Sequence, residues 1–210
     1  TVSINLILRQ GLTACNSALS VLHYTSLPRF VKAQTGAFWR AQERSEAMSN
    51  SNLADYIKLS PHCTKPRRGT IRGISIHTMA GPGSVEGCGE VFQTTKASAH
   101  YGVGPDGRIG QYVREEDRAW CCSHPVDHEV VTIEVSSIQK YQEPYQCTEE
   151  AYRSLIDLCV DICQRNGIRR LIWKEGKANC PAYTKDWETC NLVPHRYTTD
   201  KGKSCPGNYL

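Results

Sequence analysis

Val130-Val131-Thr132-Ile133-Glu134-Val135 is the most strand-like run in the chain. β-Branched side chains pack well on a pleated surface, and a run this apolar belongs to a strand covered on both faces. It is therefore expected at the middle of a sheet. One acid interrupts it. A carboxylate among Val, Thr and Ile is costly unless it has a partner or a task, which makes Glu134 a residue to follow.

Working outward, Ile71 to His77 alternates through Ile74 and Ile76 and reads as a strand closed by His77. Ala80-Gly81-Pro82-Gly83 turns the chain, and Ser84 can cap a helix whose apolar face is Val85, Cys88, Val91 and Phe92. Ser98 to Val103 and Arg108 to Val113 flank Gly104-Pro105-Asp106-Gly107, a hairpin signal. Thr148 to Asn166 is the best helix. Thr148 caps it, Glu149 and Glu150 suit its N-terminal dipole, and Gly167 ends it. Its expected buried stripe is Tyr152, Leu155, Ile156, Cys159 and Cys163. Ile168 to Trp173 reads as a further strand, and Lys174 to Thr189 as an irregular excursion with a helical turn at Asp186-Trp187. Strands alternating with helices predict an α/β fold, a mixed central β-sheet flanked by helices, in a single domain.

The length of 210 residues is ample for one core. No apolar run approaches the ~20 residues of a membrane span. Of the net charge of +4, residues 1–47 hold +3, from five basic and two acidic residues, so the rest of the chain makes no electrostatic case for nucleic acid. Those 47 residues start with Thr and precede Met48, the first methionine. They read as a poorly organised N-terminal extension, with the natural protein expected to start at Met48 and the catalytic domain to occupy 48–210. Leu12-Thr13-Ala14-Cys15 has the form of a lipoprotein cleavage site, but Arg9 and Gln10 interrupt the apolar stretch a signal peptide needs. Synthesis in a cytoplasm is expected, with the eleven cysteines mostly free thiols.

The chemistry gathers at the other end, in Pro194-His195-Arg196-Tyr197-Thr198-Thr199-Asp200-Lys201-Gly202-Lys203-Ser204-Cys205-Pro206-Gly207. Imidazole and thiolate are ligands that zinc prefers, and this segment is too rich in Gly, Pro, Thr and Lys to be helix interior. With His77 as a third ligand, His195 and Cys205 complete the protein share of a catalytic Zn²⁺ site, which keeps a fourth position for water. Glu134 could then act as general base, and Lys203, two residues before the thiol, could face an oxyanion. Each residue taken singly has an ordinary structural reading. Their order along the chain is what favours the site. A competing structural zinc site could be drawn from Cys121, Cys122, His124 and His128, but adjacent cysteines suit one tetrahedral ion poorly; these four read better as a wall of the cleft.

The segments Ile-His-Thr-Met-Ala-Gly ending at residue 81, Ser-Ala-His-Tyr-Gly-Val-Gly-Pro-Asp-Gly-Arg-Ile at 98–109, Arg-Ala-Trp at 118–120, Val-Thr-Ile-Glu-Val at 131–135 and His…Lys-Ser-Cys-Pro-Gly at 195–207 resemble the zinc-dependent N-acetylmuramoyl-L-alanine amidases. These are the type 2 amidases of phage endolysins and cell-wall hydrolases, related in fold to the peptidoglycan recognition proteins. The resemblance covers roughly residues 55–210. It implies zinc on His77, His195 and Cys205, with Glu134 and Lys203 as the catalytic pair. The implied reaction is hydrolysis of the bond from N-acetylmuramic acid to L-alanine, with cell-wall lysis as its outcome.

Members that use a tyrosine on the hairpin strand would have it at Ala99, which disfavours that mechanism here and leaves Tyr101 as an aromatic of the cleft wall. The chain also stops five residues after Cys205, before the final helix the family normally carries, so the domain is expected to be short at its C-terminus. The expected partner is bacterial peptidoglycan, met by a monomer after release from the host cell. The alternative reading is a muropeptide-binding protein of the same fold without hydrolysis; a thiol at Cys205 argues against it.

Overall fold

The computed structural model describes residues 50–210, so the extension at 1–47 and the expected start of the natural protein at Met48 lie outside the described residues. Among the described residues, seven strands and three α-helices follow one another: β1 (Tyr56–Ile57), β2 (Cys63–Thr64), β3 (Gly73–Thr78), α1 (Val85–Thr94), β4 (Tyr101–Val103), β5 (Ile109–Gln111), β6 (Arg118–Ala119), β7 (Val130–Val135), α2 (Glu149–Arg165) and α3 (Pro181–Thr184). Five of the strands form a mixed sheet in the order β1-β5-β4-β7-β3, and β2 pairs with β6 in a small antiparallel ribbon. The run of valines sits inside the sheet, as its composition requires, with parallel neighbours on both sides.

Alternation along β3 and β7 divides the molecule. Ile74, Val131, Ile133 and Val135 point to one side and bury themselves against Ala151, Leu155, Leu158 and Ile162 of α2. Ser75, His77, Thr132 and Glu134 point to the other. Both long helices begin as the sequence predicts: Ser84 Oγ accepts from Gly87 N and Thr148 Oγ1 from Ala151 N. The hairpin turn is closed at Gly107, whose φ of +81° favours glycine.

Three local expectations are corrected. Ile168–Trp173 is not a strand: Asn191 Oδ1 accepts from Ile172 N and its Nδ2 donates to Arg170 O, while Ile172 O accepts from both Asn191 N and Leu192 N, which is no strand ladder. The edge beside β3 is taken instead by residues 191–193, with Ile74 N donating to Asn191 O and Val193 N to Ile74 O. Gly73 permits that approach, since a Cβ there would stand 2.2 Å from Asn191 O. The helical turn expected at Asp186-Trp187 falls at α3 instead, while Asp186 Oδ1 accepts from Glu188 N and Thr189 N in a turn. The stripe of α2 is rotated: Tyr152 and Ile156 are half-buried and line a groove of about 370 Å³ with Ile76, Leu192 and Pro206. That groove lies on the α2 side of the sheet, away from the polar face. All ten cysteines among the described residues are free.

Candidate metal centre

The polar face is organised by strand register. β3 and β7 run parallel with His77 paired to Glu134, one residue before both strands end. The chain leaves both at the same edge of the sheet, so the two side chains share one opening. Residues 191–193 then deliver His195 into a single 3₁₀ turn, His195–Tyr197. The Cys205 loop is pinned back on that turn. Arg196 N donates to Cys205 O at 2.9 Å, and Arg196 Nη1 donates to Gly207 O at 2.6 Å. From the strand side, Thr78 N donates to Cys205 Sγ at 3.4 Å.

These ties bring together the three residues read as ligands. Cys205 Sγ lies 3.6 Å from His77 Nδ1, and the rings of His77 and His195 are 4.9 Å apart, tilted by 52°. One donor atom from each of His77, His195 and Cys205 lies within 4.8 Å of the others. Ligands at 2.0–2.3 Å on a tetrahedral zinc are separated by roughly 3.3–3.8 Å, so the residues fit the ion with small side-chain adjustments. The donor chemistry fits as well: two imidazoles and one thiol form a zinc set rather than a calcium or magnesium set.

Glu134 sits beside them. Its Oε1 accepts a long contact, 3.9 Å, from Cys121 Sγ, while its Oε2 is buried with no hydrogen-bond partner among the described residues. Burial raises its pKa to about 8, against which the Cys121 contact works weakly. Burial, then the neighbouring His195, holds His77 down to about 3, so the ring is neutral and able to ligate. His195 is lowered by burial and by the charge of Lys203. Burial and then Glu134 push the Cys205 thiol up to about 12, opposed by the Thr78 amide, Lys203 and Arg196. A dication placed among these groups would reverse the shifts of the thiol and the carboxylate, which is the usual effect of a metal on its ligands.

Lys203 is exposed in the same loop and close enough for its charge to be felt at His195 and Cys205. Tyr101, by contrast, is no part of the cleft: it is fully buried, with its hydroxyl donating to Glu115 and accepting from Ser51 N. Ala99 is also fully buried, in the α1 side of the core. The cluster Cys121, Cys122, His124 and His128 does not assemble. Cys121 and Cys122 turn toward Glu134 and His77, whereas His124 packs on Tyr183 and His128 Nδ1 accepts from Arg68 N.

Sequence reasoning missed Ser75, although its place two residues before His77 on a strand puts it on the same face. It also missed the ion pair of buried Glu115 with Arg165, 2.7 Å, whose partners are 50 residues apart with no periodic signal between them.

Residues 67–208 match the N-acetylmuramoyl-L-alanine amidase family (Amidase_2). The chain belongs to that family. Among solved structures, the amidase-family chain is similar to the selenomethionine derivative of AmpD, at 18% identity over 79% of this chain and 92% of that one, with a TM-score of 0.55. It is also similar to the N-acetylmuramoyl-L-alanine amidase LysC from Clostridium intestinale URNW, at 14% identity over 74% and 89% of the two chains, with a TM-score of 0.50. At these identities the likeness is one of fold, and it agrees with the mixed sheet and flanking helices. No curated protein matches the chain in sequence.

Proposed function

We propose that this amidase-family chain hydrolyses the amide joining the lactyl group of N-acetylmuramic acid to L-alanine of the peptidoglycan stem peptide, with zinc held by His77, His195 and Cys205. The observation that supports it most is the meeting of two imidazoles and a thiol beside a buried carboxylate at the ends of two parallel strands. When bound, zinc would supply Lewis acidity toward the scissile carbonyl and toward water.

The chain's own residues have separable tasks. Glu134 takes the proton released as water adds to the carbonyl carbon, then hands it to the departing amide nitrogen, so that the leaving group is a neutral amine. A carboxylate whose surroundings already favour the protonated form suits that shuttle. Lys203 brings positive charge toward the oxygen on which negative charge develops. The Thr78 amide favours the anionic form of Cys205 by donating to its sulfur.

Metal content of wild type and Cys205→Ser, measured alongside digestion of purified peptidoglycan, tests this reading. About one zinc per chain is expected, reduced in the variant, with new L-alanine amino termini in the wild-type digest. Zinc without cleavage would return the chain to the muropeptide-recognition alternative. No zinc at wild type would overturn the metal assignment. Clearing of cell-wall suspensions extends the same test to lysis.

A further inference from the structure

Of the three residues read as ligands, His77 is the one contributed by a strand of the five-stranded sheet, β3, and its ring is held from behind. Its Nε2 lies 2.9 Å from Ser75 Oγ, while Nδ1 faces Cys205. Ser75 is fully buried, and its hydroxyl has a second contact: Oγ donates to Val193 O at 2.6 Å. A serine hydroxyl carries one proton. With that proton committed to a buried carbonyl that needs a donor, the oxygen can only accept from the imidazole. Cys122 Sγ also approaches, 3.5 Å from His77 Nε2 and 3.4 Å from Ser75 Oγ, but a thiol is a weak partner at either atom.

We propose that Ser75 is a positioning residue for the metal. By accepting Nε2–H of His77 while donating to Val193 O, it holds the imidazole in one tautomer, with the lone pair of Nδ1 turned toward His195 and Cys205. The same hydroxyl ties β3, which carries His77, to the 191–193 segment, which carries His195 two residues further on. A single side chain therefore sets the tautomer of one ligand and adds its own tie, to Val193 O, to the backbone bonds that hold the arm of the next. Histidine ligands depend on such partners for orientation and basicity. The proposal rests on the zinc reading above.

The first test needs no variant. In metal-free wild type near neutral pH, ¹⁵N NMR of the histidine side chains, with His77 identified through His77→Gln, should show Nε2 protonated and Nδ1 bare. The opposite tautomer would overturn the proposal. The second test uses the near-isosteric pair Ser75→Thr and Ser75→Val, which add the same bulk and differ in the hydroxyl. Zinc affinity by chelator competition should hold within a few-fold in the threonine protein and weaken about 10- to 100-fold in the valine protein. Equal affinities in the two would overturn it, and so would a change of tautomer in Cys122→Ala. Should the valine protein fail to fold, the wild-type spectrum decides. A wild type with the expected tautomer and no affinity for zinc would sink the zinc reading while leaving the hydrogen-bond assignment in place.

Discussion

The two faces of β3 and β7 are made from alternate residues of the same two strands, yet they are held together by different physics. On the α2 side, Ile74, Val131, Ile133 and Val135 meet apolar partners without direction. On the other side, Ser75, His77 and Thr132 are fixed by directional contacts: Ser75 to Val193 O, His77 to Ser75, and Thr132 Oγ1 to His100 Nδ1 at 2.8 Å. The first face tolerates changes of shape at a cost in stability. The second tolerates stability changes at a cost in chemistry. One strand thus carries two nearly independent kinds of constraint, in register with its pleat.

Separating the two is a matter of matched substitutions. Glu134→Gln should keep zinc and the fold while turnover falls about 10²- to 10⁴-fold, the range of general acid–base catalysis; kcat near that of wild type would remove Glu134 from the mechanism. Ile133→Ala, one residue away on the opposite face, should do the reverse. It should cost about 2–5 kcal/mol of unfolding free energy in urea, with kcat per folded molecule within about twofold. A large loss of kcat there would show that the faces are coupled.

Gly73→Ala is the substitution that should connect them. A Cβ 2.2 Å from Asn191 O pushes the 191–193 edge outward, and the His195 arm with it. We expect about 1–3 kcal/mol of destabilisation together with weaker zinc binding in chelator competition. Unchanged zinc affinity would mean that the edge and the ligand arm move separately.

The smallest effect is electrostatic and belongs to the metal-free protein. Burial holds both His77 and His100 below the usual histidine pKa of 6.5, with Arg67 adding to the effect at His100. The unfolded chain therefore takes up protons that the folded one refuses, and stability falls as pH drops below about 6.5. Glu134, raised from 4.5 to about 8, acts in the opposite sense. Its contribution is present below about 4.5 and is lost as pH rises through 8. Removing it in Glu134→Gln should steepen the acid limb between pH 4.5 and 6.5 by about 1.4 kcal/mol per pH unit, read from urea unfolding across that range. Parallel acid limbs for the two proteins would refute the assignment.

Much of this architecture is legible in the amino-acid sequence itself. Valine-rich β7, the Ser84 and Thr148 caps and the Gly107 hairpin are local signals, each readable within a few residues. The apposition of His77 and Glu134 follows from neither spacing nor periodicity, since it depends on the register of two strands 57 residues apart; the resemblance to a family supplies what the pattern lacks. Ile168–Trp173 misleads because its apolar residues suit a strand, while its backbone is met by the side chain of Asn191 and by the amides of Asn191 and Leu192, some 20 residues later. Tyr101 misleads for a similar reason. Next to a motif it reads as a cleft residue, and only the buried partners Glu115 and Ser51, distant in sequence, turn it inward.

The separation of 128 residues between His77 and Cys205 carries a further consequence for how the protein is made. Contacts between segments so far apart form late, because closing a long loop costs entropy before any contact repays it. A nascent chain that has released β7 and α2 already holds all five strands of the sheet but neither His195 nor Cys205. On the proposed zinc reading, the ion would not template this fold from its beginning. It would register that the last segment has come home, so capture of zinc by a chain leaving the ribosome would mark the end of folding rather than its start.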